Sequence, residues 1–518
     1  MAELIKLTDV SLAFPGKSWL LKKIDLSVQQ GEFVGILGAT GSGKSTLLHI
    51  MCGVIPHFIR HGQLEGKVEL LGQNTSELTL AKIASQIGVV GQDPENQLFN
   101  LLVKDEVAWA LENRGVNPSL IDDRVNAVLD FMQISHLKER VTYDLSGGEK
   151  QRLVLAATYI SQPDILFLDT PTSQLDPLGA EMFIESIREI LSRGQTVVMI
   201  EDKIDTLVEY ADRIVILDQG TISVDCSVSE LDMHVELLKA ARIRPPHLTE
   251  FRKKLKDELG IEVPLSDDGS ISVSAFQSAL GPHLVNTSDS NNRKNGHELG
   301  CTDFVQVKGI GHTFLYPRPF DALTDVDFSL NEGSLTAIIG QNGSGKTTLA
   351  RCISGYLDPT QGLTIIDGHD VHKLSIRNRA EYVGYVFQNP DHQIFLDPVV
   401  RDVEFGPRNL RWSDEKVVQR TEAVLKMLGL WEKRDIHPYR LSKGDRQRLA
   451  IAAIAVMEPK VLIIDEPTTG QDPYQAEAVM DLLRHLRDEF GMTVVVITHE
   501  MSLVASYCDR TVVLLQGQ

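Results

Sequence analysis

Short runs of aliphatic and β-branched residues recur along this 518-residue chain, separated by longer stretches with helical spacing. Phe33–Leu37 and Leu335–Ile339 are apolar without alternation, which predicts strands buried on both faces. Ile165–Asp169 (ILFLD), Thr196–Ile200 (TVVMI) and Arg213–Asp218 (RIVILD) share that texture, as do Val461–Asp465, Thr493–Ile497 and Arg510–Leu514. Val125–Met132 has apolar residues at helical spacing instead and predicts core packing rather than a membrane-binding face. Alternation of strand and helix implies an α/β fold with a mostly parallel sheet. No apolar run approaches the eighteen or so residues of a spanning helix.

The pattern is written twice. Lys346 lies 302 positions after Lys44, while Gln388, Ser442, Asp465 and Asp472 each lie 296 positions after Gln92, Ser146, Asp169 and Asp176. A near-constant offset over separate segments indicates a duplicated domain, with the six-residue difference confined between the first two landmarks. The expected organisation is a first domain over 4–245, a connector over 246–302 and a second domain over 303–518. Leu231–Ala241 and Phe251–Leu259 predict helices, the latter with a basic run, Arg252–Lys256, read as a solvated face. Asn286–Asp303, rich in Asn, Ser, Asp and Gly, is expected to be a mobile tether.

A net charge of −20 argues against broad, sequence-independent nucleic-acid binding. Cys52, Cys226, Cys301, Cys352 and Cys508 show no CxxC spacing, which fits reduced thiols rather than a disulfide or zinc framework. The opening MAELIKLTDV has no basic segment leading into an apolar core, so no secretory signal is expected. His57, His61 and His283 lack companions at metal-ligand spacing and read as surface residues.

The first apolar strand of each copy runs into a phosphate-cradling sequence. GATGSGKS comprises Gly38, Ala39, Thr40, Gly41, Ser42, Gly43, Lys44 and Ser45; GQNGSGKT comprises Gly340, Gln341, Asn342, Gly343, Ser344, Gly345, Lys346 and Thr347. The glycines let backbone N–H groups turn inward around a β-phosphate. Lys44 and Lys346 would reach the β/γ oxygens, and Ser45 and Thr347 offer hydroxyls to Mg²⁺. Two such loops, each between strand and helix, indicate nucleotide binding.

With these loops come VVGQDPENQLF (Val89–Phe99) and VFQNPDHQIF (Val386–Phe395), then LSGGEKQR (Leu145–Arg152) and LSKGDRQR (Leu441–Arg448). ILFLDTPTSQLDP (Ile165–Pro177) and LIIDEPTTGQDP (Leu462–Pro473) follow, and the second copy adds VVITHE (Val495–Glu500). In content and order these motifs resemble two tandem P-loop NTPase domains of the ATP-binding-cassette (ABC) type, over nearly all the chain outside the connector. The resemblance implies, for each copy, a parallel-sheet core with a helical signature subdomain, and ATP and Mg²⁺ as ligands. The extended glutamine segments resemble those of energy-coupling-factor (ECF) importers for cobalt, nickel, vitamins or vitamin precursors.

In that family two nucleotide domains close head to tail, each ATP lying between one phosphate loop and the other domain's signature segment. By resemblance, the Lys346 site is complete. Tyr316 would stack on adenine, and Thr347, Asp465 and Gln388 would serve Mg²⁺. Glu466 would act as general base, and His499 would steady the γ-phosphate. Ser146, Gly147, Gly148 and Glu149 would close the site in trans. The Lys44 site keeps Phe14 for adenine and Ser45, Gln92 and Asp169 for Mg²⁺, but Thr170 replaces the base, since a hydroxyl of high pKa cannot deprotonate water. Asp202 stands opposite His499 and would repel a γ-phosphate, and Lys443 replaces a glycine in the facing signature. This site is expected to bind ATP and hydrolyse it poorly.

Asp176 and Asp472 are expected on loops crossing between domains. Phe99 and Phe395 either line a groove for a partner helix or fill the helical-subdomain interface, and Leu98 and Ile394 are expected at the docking edge. The expected role is the ATPase of an ECF-type importer, peripheral on the cytoplasmic face of the cell membrane. Its partners would be a transmembrane scaffold and a substrate-binding membrane subunit. The alternative is a soluble tandem ABC ATPase acting on ribosomes or nucleic acid, which the acidic charge and polar connector disfavour.

Overall fold

In this computed structural model the chain divides into two units, Met1–Ser290 and Asn291–Gln518. The structure describes residues 2–16, 18–173, 175–264, 273–280, 303–315 and 319–518. Tyr316, His283, Cys301 and the tether expected up to residue 302 lie outside them.

In the first unit six strands form one sheet, in the order Thr221–Ser227, Arg213–Asp218, Phe33–Leu37, Thr196–Ile200, Ile165–Asp169, Ile87–Val90. All neighbours are parallel except the first pair. Side chains leave a strand alternately on its two faces. Phe33, Leu37, Leu166, Leu168, Val197 and Met199 therefore enter one core with the helices. Val34, Ile36, Ile165, Phe167, Val198 and Ile200 enter another. Burial on both faces is why these strands carry no polar alternation.

The second core is roofed by a separate antiparallel sheet, Trp19–Gln29, Glu3–Ala13, Gln63–Leu70 and Gln73–Asn74. Its strands alternate buried and solvent-facing residues, a weaker signal than the continuous apolar runs. The helical subdomain gathers Val103–Asn113, Pro118–Phe131 and Gly147–Tyr159, and Val125, Leu129 and Met132 are buried there as their spacing implies.

The second unit repeats the plan with a five-stranded, fully parallel sheet: Val383–Val386, Val461–Asp465, Thr493–Ile497, Leu335–Ile339, Arg510–Val513. Ile338, Ile463 and Val495 face one cluster while Leu335, Leu462 and Val494 face another. Its antiparallel sheet is Phe320–Asn331, Asp303–Phe314, Gln361–Ile366 and His369–Asp370.

Local details differ from the sequence reading. The expected Leu231–Ala241 helix is a 3₁₀ segment, Val228–His234, started by a Ser227/Glu230 capping box and followed by an α-helix at Val235–Ala240. The charged helix runs over His247–Leu259, four residues longer at its start. Its lysines face solvent as expected, and the basic run is balanced by acids. Arg252 pairs with Asp232 at 3.0 Å, Lys253 with Glu236 at 2.9 Å, and Thr249 donates to Asp232 at 2.6 Å. These bonds hold the helix to the first unit. No helix among the described residues is long and apolar enough to cross a membrane.

Candidate functional site

Each phosphate loop leaves the end of a central strand and enters a helix, Lys44–Met51 or Lys346–Ile353. A Cβ on Gly38 would sit 2.3 Å from the Leu217 carbonyl oxygen, and on Gly340 the same distance from that of Leu514, so only glycine fits the close turn. Gly43 and Gly345 cap the helices in the left-handed conformation with no side-chain acceptor. The first-turn N–H groups thus keep no cap of their own, the arrangement that receives anions. Ser42 Oγ and Ser344 Oγ are buried without a hydrogen-bond partner, a further mark of a site built for phosphate oxygens. Lys44 Nζ donates to the Gly38 and Ala39 carbonyls at 2.6 and 3.3 Å, and Lys346 Nζ to those of Gly340 and Gln341 at 2.8 and 2.9 Å.

Beside the second loop the sheet register brings the expected catalytic groups together. Asp465 pairs with Ile497, so His499 follows two residues beyond the same strand end. Glu466 sits at φ 45° with its N–H bonded to the Ile497 carbonyl at 3.0 Å. Its carboxylate accepts from Gln388 Nε2 at 2.8 Å and Thr469 Oγ1 at 3.1 Å, and His499 Nδ1 lies 3.8 Å away. Burial pushes the Glu466 pKa up, but His499 and Lys346 outweigh it and hold it below the usual value, so the group is an anion at neutral pH. Asp465 is shifted the other way, raised mainly by burial. One of its oxygens accepts from Tyr385 Oη at 2.8 Å and the other, Oδ1, is buried without a hydrogen-bond partner, which suits a cation ligand. Thr347 faces the same carboxylate. The residues present fit Mg²⁺.

The first unit has the same backbone and different chemistry. Thr170 occupies φ 48° with its N–H on the Ile200 carbonyl at 2.9 Å, the counterpart of Glu466 in every backbone respect. Its hydroxyl turns to Asp169 Oδ1 at 3.2 Å, which Ser45 Oγ also reaches at 3.2 Å. No hydrogen bond among the described residues joins Gln92 to Asp169. Asp169 pairs with Ile200, which confirms the equivalence of Asp202 and His499. Asp202 Oδ1 lies 3.2 Å from Lys44 Nζ, forming an ion pair largely hidden from solvent. Phe14 follows the strand Glu3–Ala13 and packs partly against the core.

Both signature serines cap helices, with different supports. Ser146 and Glu149 form a reciprocal capping box, Glu149 Oε2 accepting from Ser146 N at 2.8 Å; Gly147 and Gly148 open the helix. In the second unit Asp445 stands where Glu149 stands, and among the described residues it makes no return bond to Ser442 N. Its carboxylate instead pairs with Lys433 at 2.6 Å and with Arg448, while Lys443 is exposed.

Asp176 and Asp472 are helix N-caps, accepting from Gly179 N at 2.7 Å and Gln475 N at 2.9 Å, because each precedes a proline-started helix. Other expectations need correction. Ile394 is a core residue and Leu98 packs on the core, so neither forms a docking edge. The exposed groups are Phe99 (58 %) and Phe395 (62 %), each in edge-to-face contact with an aromatic ten residues on, Trp109 or Phe405. His57 is partly buried and bonded to the Thr75 carbonyl at 2.8 Å.

Three features escaped the sequence reading. Tyr385 reaches Asp465 because it pairs with Ile463, two residues earlier on the same face; Val89 is its counterpart, and that difference was visible on comparing the copies. Glu201 is buried and accepts from Thr172 N and Oγ1 at 3.2 and 2.8 Å. In the second unit the matching Thr468 bonds Glu500 at 2.9 Å, three residues past its strand instead of one. The Lys44–Asp202 pair required coordinates to be seen.

A family profile described as ABC transporter matches residues 21–173 and 323–469. The chain is 33% identical over 524 residues to a "Putative ABC transporter ATP-binding protein" of Methanosarcina mazei, covering 99% of this chain and 88% of that protein. It is 35% identical over 506 residues to a protein of the same description from Caldanaerobacter subterraneus subsp. tengcongensis, covering 96% and 87%. Among solved structures, cbiO1 from Clostridium perfringens, part of the ABC transporter complex cbiONQ, is 35% identical, covering 41% of this chain and 85% of its own, with a TM-score of 0.38.

Proposed function

Because the chain belongs to the ABC transporter family of ATP-binding proteins and carries the family's domain twice, we propose that it is the ATP-hydrolysing subunit of an ECF-type importer. One observation carries the assignment of hydrolysis. On the same backbone, Glu466 is an oriented, ionised carboxylate and Thr170 is a hydroxyl turned to its neighbour.

Turnover is therefore centred on Lys346. The loop from Gly340 to Thr347 binds the phosphates through its backbone and Lys346. Gln388 and Thr469 hold Glu466, which orients the attacking water and takes its proton as the γ-phosphoryl group leaves ADP. His499 is placed to steady the γ-phosphate. Thr347, Asp465 and Gln388 would hold Mg²⁺, which would supply charge neutralisation to the transferring phosphoryl group. Head-to-tail pairing of two such domains would add the Ser146 helix end as a further anion-binding group. The Lys44 site holds nucleotide with little turnover.

Coupling to a transmembrane scaffold is supported by the exposed aromatic pairs Phe99/Trp109 and Phe395/Phe405, repeated at equivalent positions beside the glutamine segments. In the second unit Phe395 and Phe405 border a cavity of about 550 Å³ lined also by Ile376, Ala380, Ile454 and Met457. An apolar helix end of a membrane partner suits such a recess. The scaffold and a substrate-binding membrane subunit would place the protein on the cytoplasmic face of the membrane. Co-purification tests this: the tagged chain, solubilised from membranes, should bring down integral membrane proteins. Recovery of ribosomes and no membrane protein would overturn the importer reading in favour of the soluble alternative.

A further inference from the structure

We propose that the Lys44 site is a diphosphate site, taking a nucleoside diphosphate in preference to the triphosphate. The inference rests on the reading of the Gly38–Ser45 loop as a nucleotide site and specifies which nucleotide it keeps.

The part of the loop that cradles a β-phosphate is intact. Gly43 leaves the helix start bare, and Ser42 Oγ is buried without a partner. What differs is the ground beyond it, where a third phosphate would lie. The Lys44 ammonium has three N–H donors, and three acceptors stand around it: the Gly38 and Ala39 carbonyls and Asp202 Oδ1. Its charge is already met by a carboxylate only 15% exposed. A γ-phosphate at Lys44 must displace that carboxylate or lie against it. A like charge about 5 Å away in a partly buried setting is worth more than a tenfold change in affinity. A diphosphate ends one group earlier, so its terminal charge lies farther from Asp202 and disturbs the pair less.

Asp202 is also poorly placed to swing aside. It follows directly on Glu201, whose side chain is buried and bonded twice to Thr172 of the loop after the Ile165–Asp169 strand. The residue before Asp202 is thus anchored to that loop. In the second unit the corresponding position is His499, a donor near Glu466.

The test uses the full chain with Lys346→Ala and Glu466→Gln, which silences the second loop and prevents turnover. Fluorescent ADP and ATP are titrated with Mg²⁺ at equilibrium. ADP should bind at least about tenfold more tightly than ATP. Adding Asp202→Asn, or Asp202→Ser as a second variant with its melting profile checked, should bring the two affinities within about twofold by improving ATP binding. Equal or tighter ATP binding in the Asp202 protein overturns the proposal, as does an ADP preference that both Asp202 variants retain. Binding of neither nucleotide, matched by a further Lys44→Ala variant, would remove the nucleotide-site reading itself and the proposal with it.

Discussion

At the scale of single residues, the most exacting position is the one after each Walker-type aspartate. Both Glu466 and Thr170 adopt a left-handed backbone that is unfavourable for any side chain with a Cβ and worse for a β-branched one. The strand-end hydrogen bond imposes that conformation, so the chemistry can vary without moving the backbone. Glu466→Gln should keep ATP binding and lower ATPase activity by at least about 10²-fold in the partner-activated complex. Near-normal turnover would mean the base lies elsewhere. Tyr385→Phe removes only the hydroxyl that orients Asp465, so we expect weaker Mg²⁺ affinity to appear as a raised Mg²⁺ requirement, with activity recovering at high Mg²⁺. A loss that no Mg²⁺ concentration restores would count against this orienting role. Glu201 gives a pH signature. Burial pushes it up to about 7, against opposing hydrogen bonds from Thr172. The unfolded chain ionises it at the ordinary glutamate value, so native stability attributable to this group falls as pH rises from there to about 7 and is flat above. The cost at alkaline pH is on the order of 3 kcal/mol. Glu201→Gln should therefore raise Tm at pH 8 more than at pH 4.5, and an equal change at both pH values would contradict the assignment.

At the scale of elements, what the sequence revealed depended on how many faces each element buries. Central strands such as Ile165–Asp169 and Thr493–Ile497 bury both faces and were legible to the residue. The antiparallel roof, with strands such as Glu3–Ala13, buries one face, so its alternation was lost among short polar segments. Motif chemistry was legible because glycine and lysine spacings report backbone geometry directly. Side-chain partnerships across strands were not: Tyr385 meets Asp465 through sheet register, and Asp202 meets Lys44 across two parallel strands. The signature helices show the same limit. LSGGE and LSKGD differ by two residues, yet Glu149 closes a capping box and Asp445, one methylene shorter, turns to Lys433 and Arg448. Glu149→Asp should therefore open the first box and cost roughly 0.5–1.5 kcal/mol in stability, read by chemical denaturation. An unchanged denaturation midpoint would show that the return bond adds nothing.

At the scale of the whole molecule, duplication lets one chain hold two phosphate sites that need not do the same work. If head-to-tail pairing places the Ser146 helix end against nucleotide on the Lys346 loop, a bulky cation at that helix start obstructs the productive site. Ser146→Arg should then reduce ATPase activity and uptake more than Ser442→Arg, although the two serines have the same local role as N-caps. Loss of the N-cap is common to both variants, so a difference in activity beyond any difference in their melting profiles isolates the pairing. Equal losses would leave the sites equivalent, and a larger loss from Ser442→Arg would reverse the assignment of the hydrolysing site. The proposed docking surface is separable from this chemistry because Phe99 and Phe395 are exposed while the residues before them are not. The double variant Phe99→Glu/Phe395→Glu should fold and bind ATP as the parent does, yet leave the membrane fraction and lose uptake. Charge placed on Ile394 could not make this distinction, since burying it would unfold the helical subdomain. Were the folded double variant to stay on membranes with uptake intact, the aromatic pairs would be ordinary surface residues, and the coupling to a transmembrane partner would have to run through another face.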